Sequence, residues 1–101
     1  MALHGEYKTP GGKLVVVDLT VQNGRLSRVA VSGDFFLEPP EALEDIVAAL
    51  EGASSQADET ELAKLIEASL PEGAELIGFD AASVAVAVRR AVTDGSPRER
   101  A

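Results

Sequence analysis

The chain has 101 residues, a formal charge of −8 from 9 Lys and Arg against 17 Asp and Glu, one histidine and no cysteine. That length fits a single small domain with one core and falls short of the usual size of an enzyme that binds two substrates, so a binding or accessory module is expected. The acidity argues against nucleic acid and anionic membrane as partners, because both require a positive footprint. The missing cysteines exclude disulfides, thiolate zinc sites, cysteine nucleophiles and cysteine-ligated iron–sulfur clusters.

The N-terminus lacks the basic and apolar regions of a secretion signal, and no apolar run approaches a membrane span, so a cytoplasmic protein is expected. The opening Met suggests an independently translated polypeptide. His4 to Lys8 reads as a first strand, and Thr9-Pro10-Gly11-Gly12 supplies a tight reversal.

The stretch from Lys13 to Phe36 organises the rest. In its first half Val15, Val17 and Leu19 alternate with a second, partly wet face bearing Asp18 and Thr20. Two registers are open at the following turn. A two-residue Asn23-Gly24 loop pairs Asp18 with Val29, which mixes the faces. A three-residue Gln22-Asn23-Gly24 loop with Gly24 in a bulge pairs Val17 with Val29, Val15 with Val31 and Asp18 with Arg28. The second sorts the faces and is the expected hairpin.

Glu38-Pro39-Pro40-Glu41 stops the sheet and starts a helix in which Leu43, Ile46, Val47 and Leu50 share a face and Gly52 caps the end. Asp58 and Glu61 form a capping-box pattern before Leu62, Leu65, Ile66 and Leu70, and Pro71 to Gly73 terminate that helix. The conformation of Glu75 to Phe79 stays open. Ala81 to Val92 fits both a strand and a helix by period, and its alanines, the Asp80 cap and Arg89-Arg90 near its end favour a helix. Residues 1–95 thus form one domain, and residues 96–101 read as a disordered tail. The expected fold is α+β, a small antiparallel three-stranded meander with about three helices packed on one face.

Chemistry-bearing residues are sparse. Thr9 to Lys13 reads either as an anion nest with an ammonium beside it or as a plain hairpin turn with a solvated lysine. It is no P-loop, because a strand follows where a helix would open. His4 has no evident acid or nucleophile partner and reads as an exposed residue near the terminus. Ser32-Gly33-Asp34 places a hydroxyl and a carboxylate together without a histidine, so it is no triad, and it aims Phe35 and Phe36. Adjacent side chains of an extended chain point to opposite faces, so one phenylalanine enters the core and the other serves a partner surface, unless a local bend buries both. Glu41, Glu44 and Asp45 read as helix solvation, and no metal is assigned.

Tyr7-Lys8, Pro10-Gly11-Gly12-Lys13-Leu14-Val15, the hairpin, Val31-Ser32-Gly33-Asp34-Phe35-Phe36 and the Glu-rich helix together resemble the accessory (C-terminal) domain of lipoate-protein ligases. Leu76-Ile77-Gly78-Phe79 and the last helix are similar to that family's ending. The resemblance covers nearly the whole chain, and the Ser-Gly-Asp-Phe-Phe turn is its most specific part.

It implies a noncatalytic subunit, inert alone, that docks on a large catalytic subunit. That subunit activates lipoate with ATP to lipoyl-adenylate and transfers the lipoyl group to a lysine of an acceptor domain. ATP and lipoate, with magnesium, belong to the complex, and no cofactor is expected on this chain by itself. Lys8, Gly11, Gly12 and Lys13 become candidates to approach nucleotide phosphates or the large subunit, and Ser32, Gly33, Asp34, Phe35 and Phe36 an interface or support turn. The resemblance also implies a fold shared with iron–sulfur scaffold proteins, a role disfavoured by the lack of cysteine. A free-standing interaction adaptor of the same fold is the alternative.

Overall fold

The computed structural model describes residues 2–94 and 96–97. Strands β1 (Leu3–Lys8), β2 (Leu14–Gln22) and β3 (Arg25–Gly33) come first, followed by β4 (Phe36–Glu38), α1 (Ala42–Leu50) and α2 (Glu59–Ser69). Then come β5 (Glu75–Ile77), α3 (Ala81–Arg89), a π-helical turn at Arg90–Asp94 and β6 (Ser96–Pro97). The fold is α+β, with the expected antiparallel meander β1–β2–β3 and the three helices on one face.

Two features go beyond the expected meander. Leu3 and His4 pair with Pro97 and Ser96, so the sheet order is β3-β2-β1-β6. The sequence reading starts a tail at residue 96, and its remainder, 98–101, lies outside the described residues. Glu75 to Ile77, left open by the sequence, pairs antiparallel with β4 in a separate two-stranded ribbon: Phe36 with Ile77, Leu37 with Leu76 and Glu38 with Glu75.

The hairpin register differs from the expected one. The turn is the two-residue Asn23-Gly24 loop, with Gln22 opposite Arg25. Both turn residues have positive φ, 55° and 76°, the mirror-image turn whose twist suits a hairpin. The faces are sorted farther along, where the register shifts between Asp18 and Thr20, so that Asp18 opposes Ala30 and Val17 opposes Val31. Arg28, at φ 53°, takes up the extra residue and is not the partner of Asp18. The bulge takes the Val29 N–H out of the ladder, and the Glu51 carboxylate at the end of α1 accepts it at 2.6 Å. A buried donor left unmade there costs about 1–3 kcal/mol, so α1 and the bulge hold each other.

Helices of 9 and 11 residues, α1 and α2, are too short to persist alone in water. They are held by burial of Ile46 and Leu50 from α1 and of Leu62 and Ile66 from α2, each contributing about 1.5–3 kcal/mol. The Asp58–Glu61 capping box forms as expected, with both reciprocal bonds in place at 2.8 and 3.0 Å. Gly52 lies just beyond the α1 cap and donates its N–H to the Leu26 carbonyl at 2.8 Å.

Helix α3 occupies the middle of the molecule, between the sheet and α2. Ala81, Ser83, Val84, Ala85, Ala87 and Val88 are all buried, so the helix has almost no polar face. Against β1 it comes so close that a Cβ at Gly5 would collide with the Ala87 carbonyl oxygen and stand 2.5 Å from the Ala91 amide nitrogen. Both obstacles are backbone and cannot rotate away. Gly5→Ala is therefore expected to cost at least about 1–3 kcal/mol, read as a lower denaturation midpoint. An unchanged midpoint would show that α3 moves freely over β1.

Candidate functional site

The turn from Thr9 to Lys13 is closed by its own backbone. The Thr9 N–H donates to the Lys13 carbonyl at 2.9 Å and the Gly12 N–H to the Thr9 carbonyl at 2.8 Å. The Lys13 N–H donates to the Gly78 carbonyl at 2.7 Å. These three amides are thus engaged within the chain. Lys8 places its ammonium on the Gly12 carbonyl at 3.1 Å, Gly11 is exposed, and Lys13 projects an exposed side chain. The Thr9 hydroxyl is buried without a hydrogen-bond partner among the described residues.

Gly78 joins this turn to the rest of the same end. A Cβ there would stand 2.6 Å from Lys13 Cγ, and a Cβ at Gly12 would stand 2.5 Å from the Gly78 carbonyl oxygen. With φ at +89°, Gly78 also occupies backbone space that other residues enter only under strain. Gly33, at the end of β3, is packed in turn against the Leu14 carbonyl and the Phe35 ring.

Phe35 and Phe36 part as adjacent residues of an extended chain do. Phe35 stacks on Phe79 with ring centroids 3.9 Å apart and planes 23° from parallel, and Phe79 is itself buried beside the start of α3. Phe36 is 68% exposed and Ile77, its partner in the ribbon, 50% exposed, while Leu37 and Leu76 face inward. Ser32 and Asp34 are exposed beside this pair of rings. The predicted turns at Lys8–Lys13 and Ser32–Phe36 therefore meet at one end of the molecule, with Ile77, Gly78 and Phe79 between them. Sequence reasoning missed Ile77 as a surface residue and Gly78 as the junction. The Leu-Ile-Gly-Phe stretch carried the signal, but only the pairing with β4 reveals which of its side chains faces out.

His4 departs from the expectation of an exposed residue without acid partners. Pairing of β1 with β2 sets it opposite Asp18, and its Nδ1 lies 2.7 Å from Asp18 Oδ1 while Nε2 lies 2.7 Å from Glu6 Oε2. It stands on the helix-free face of the sheet, four residues along β1 from Lys8 and so about 13 Å from the turn. A neutral imidazole has one N–H and satisfies one carboxylate, whereas the imidazolium satisfies both. Its pKa is accordingly raised above the usual 6.5, by the hydrogen bond to Glu6 first and that to Asp18 next, against partial desolvation.

A raised value in the folded state means that these bonds stabilise the fold fully below pH 6.5 and are lost as pH rises through the folded pKa. Stability of the chain is expected to fall over that window, and His4→Gln is expected to flatten the fall in denaturation measured across pH. An identical pH profile in the variant would remove His4 as the cause.

Among the described residues there is no pocket and no group of three His, Cys, Asp or Glu side chains placed to hold a metal. No described helix is long and apolar enough to cross a membrane. What this end offers is a shaped surface: an exposed lysine, two outward apolar side chains and a rigid glycine junction beneath them.

No family model matches the sequence, and no curated protein matches it. Among solved structures, the chain is similar to one from an archaeal lipoylation system, a bipartite lipoate protein ligase and its E2 lipoyl domain from Thermoplasma acidophilum. The match has a TM-score of 0.71 at 22% identity and covers 88% of this chain and 96% of that one. At that identity the likeness establishes a shared fold, a small α+β domain of nearly the same extent.

Proposed function

We propose that this chain is the noncatalytic small subunit of a lipoate-protein ligase, docking on a larger catalytic subunit and supporting ATP-dependent activation of lipoate to lipoyl-adenylate. The observation that carries the reading is the fold likeness to a chain of a bipartite ligase system, with near-complete coverage in both directions. Coverage of 96% of that chain means that the solved neighbour is itself small, which suits an accessory component better than a domain binding both lipoate and ATP. The family resemblance of the Gly-Gly-Lys and Ser-Gly-Asp-Phe-Phe turns points the same way.

Adenylation requires that water be kept from the mixed anhydride and that the triphosphate be held against the carboxylate. A small domain closing over the catalytic subunit serves both needs. ATP, lipoate and magnesium are then held by the complex. Lys13 projects its ammonium from the end where the turns meet, toward nucleotide phosphates or an acidic rim of the large subunit. Gly11 and Gly12 shape the turn that presents it, Lys8 braces that turn through the Gly12 carbonyl, and Ser32 to Phe36 form the interface or support turn.

The test is lipoate-dependent pyrophosphate exchange by the large subunit of the same source, with and without this chain. Exchange is expected to depend on the chain, and Lys13→Ala is expected to slow it about tenfold or more, the loss of one charge-assisted hydrogen bond. Transfer from premade lipoyl-adenylate is expected to stay intact in that variant. Full exchange without the chain would overturn the subunit reading in favour of an adaptor with another client. Equal loss in both half-reactions would overturn the phosphate role of Lys13 alone.

A further inference from the structure

The ribbon of β4 and β5 carries an unusual pairing on its outward face. Phe36 and Ile77 are cross-strand partners, and so are Glu38 and Glu75. Because side chains alternate along a strand, both pairs lie on the same face, with Leu37 and Leu76 turned inward. Directly opposed side chains in such a ladder have Cβ atoms about 4.5–5.5 Å apart, and like charges there are destabilising. Among the described residues no Lys, Arg or His forms a salt bridge with either carboxylate. The ribbon therefore exposes two large apolar side chains and, one pleat further on, opposes two negative charges. Folding alone explains neither feature.

We infer that this face is the docking surface for a segment that lays an apolar side chain across Phe36 and Ile77 and bridges Glu38 and Glu75 with an arginine or lysine. An arginine fork suits two carboxylates across one ladder rung, because a guanidinium donates in two directions at once. Burying the apolar pair removes water from the neighbouring carboxylates and strengthens that ion pair. A second copy of this chain is the wrong occupant: its own ribbon would bring four carboxylates together, and both chains carry −8 overall. The partner's identity rests on the subunit reading above, which makes it the large catalytic subunit.

The experiment is titration of the large ligase subunit with the whole chain and two double variants at two ionic strengths, together with denaturation of each isolated chain. Glu38→Gln with Glu75→Gln is expected to leave the isolated fold as stable or raise its midpoint, because repulsion is relieved. The same variant is expected to bind about tenfold or more weakly, with a flatter salt dependence. Phe36→Ala with Ile77→Ala is expected to weaken binding by a comparable factor. Opposite signs on stability and affinity in the glutamine variant are what a purely structural role would not give. Wild-type binding with both variants unchanged would overturn the docking face and leave the subunit reading standing. No complex with the wild-type chain would overturn both.

Discussion

Where β1 crosses α3, its one glycine leaves no side chain between the two backbones. At Gly5 the helix backbone lies where any Cβ would go, and this contact sets the depth of the whole layer. It accounts for the alanine and valine content of α3, since larger residues would lift the helix off the sheet and open voids elsewhere. From there the consequences run to the surface. The start of α3 is fixed by Asp80, which accepts from the Ser83 N–H and hydroxyl at 2.7 Å each. Phe79, one residue earlier, is thereby placed to stack on Phe35, and the Gly78 carbonyl to accept from Lys13.

The end where the turns meet is accordingly a rigid presentation built on small residues. Gly12, Gly33 and Gly78 are all in closer contact than a side chain would permit, so the turns cannot slide past one another. On that base sit groups of different character: an exposed lysine, the Phe36–Ile77 pair, and the Glu38–Glu75 rung. A surface of this kind suits a domain that acts by closing over another, because its binding groups are positioned before the partner arrives and little ordering entropy remains to be lost. The His4 cluster stands apart on the open sheet face and bears on stability through pH.

Much of this was legible in the residues. The alternation of Val15, Val17 and Leu19, the α1 stripe, and the Asp58–Glu61 box each report a local rule that the fold obeys. The hairpin register was not legible, because its deciding feature is a bulge at Arg28 that residue type does not announce. That bulge is stabilised by Glu51, 22 residues away from Val29. The strand-or-helix ambiguity of Ala81 to Val92 has a physical cause as well: a helix buried on nearly every side loses the polar face that gives a period its meaning. Of the site, the two turns stood out in the chain. Their meeting follows from the hairpin, which sets Gly33 opposite Val15. The Ile77–Gly78 junction between them was not legible, since it depends on pairing β4 with a strand some forty residues later, and neither was the Asp18 partner of His4, which comes from strand register.

On the proposed reading, the ribbon and the Lys13 turn form the end through which this domain acts. Backbone amide hydrogen exchange of the chain, free and mixed with the catalytic subunit proposed as its partner, tests this. Slowed exchange is expected, confined to residues 36–38, 75–78 and the Lys13 turn. Protection confined to the open face of the sheet around His4, Val16 and Ala30, with the ribbon unchanged, would contradict it.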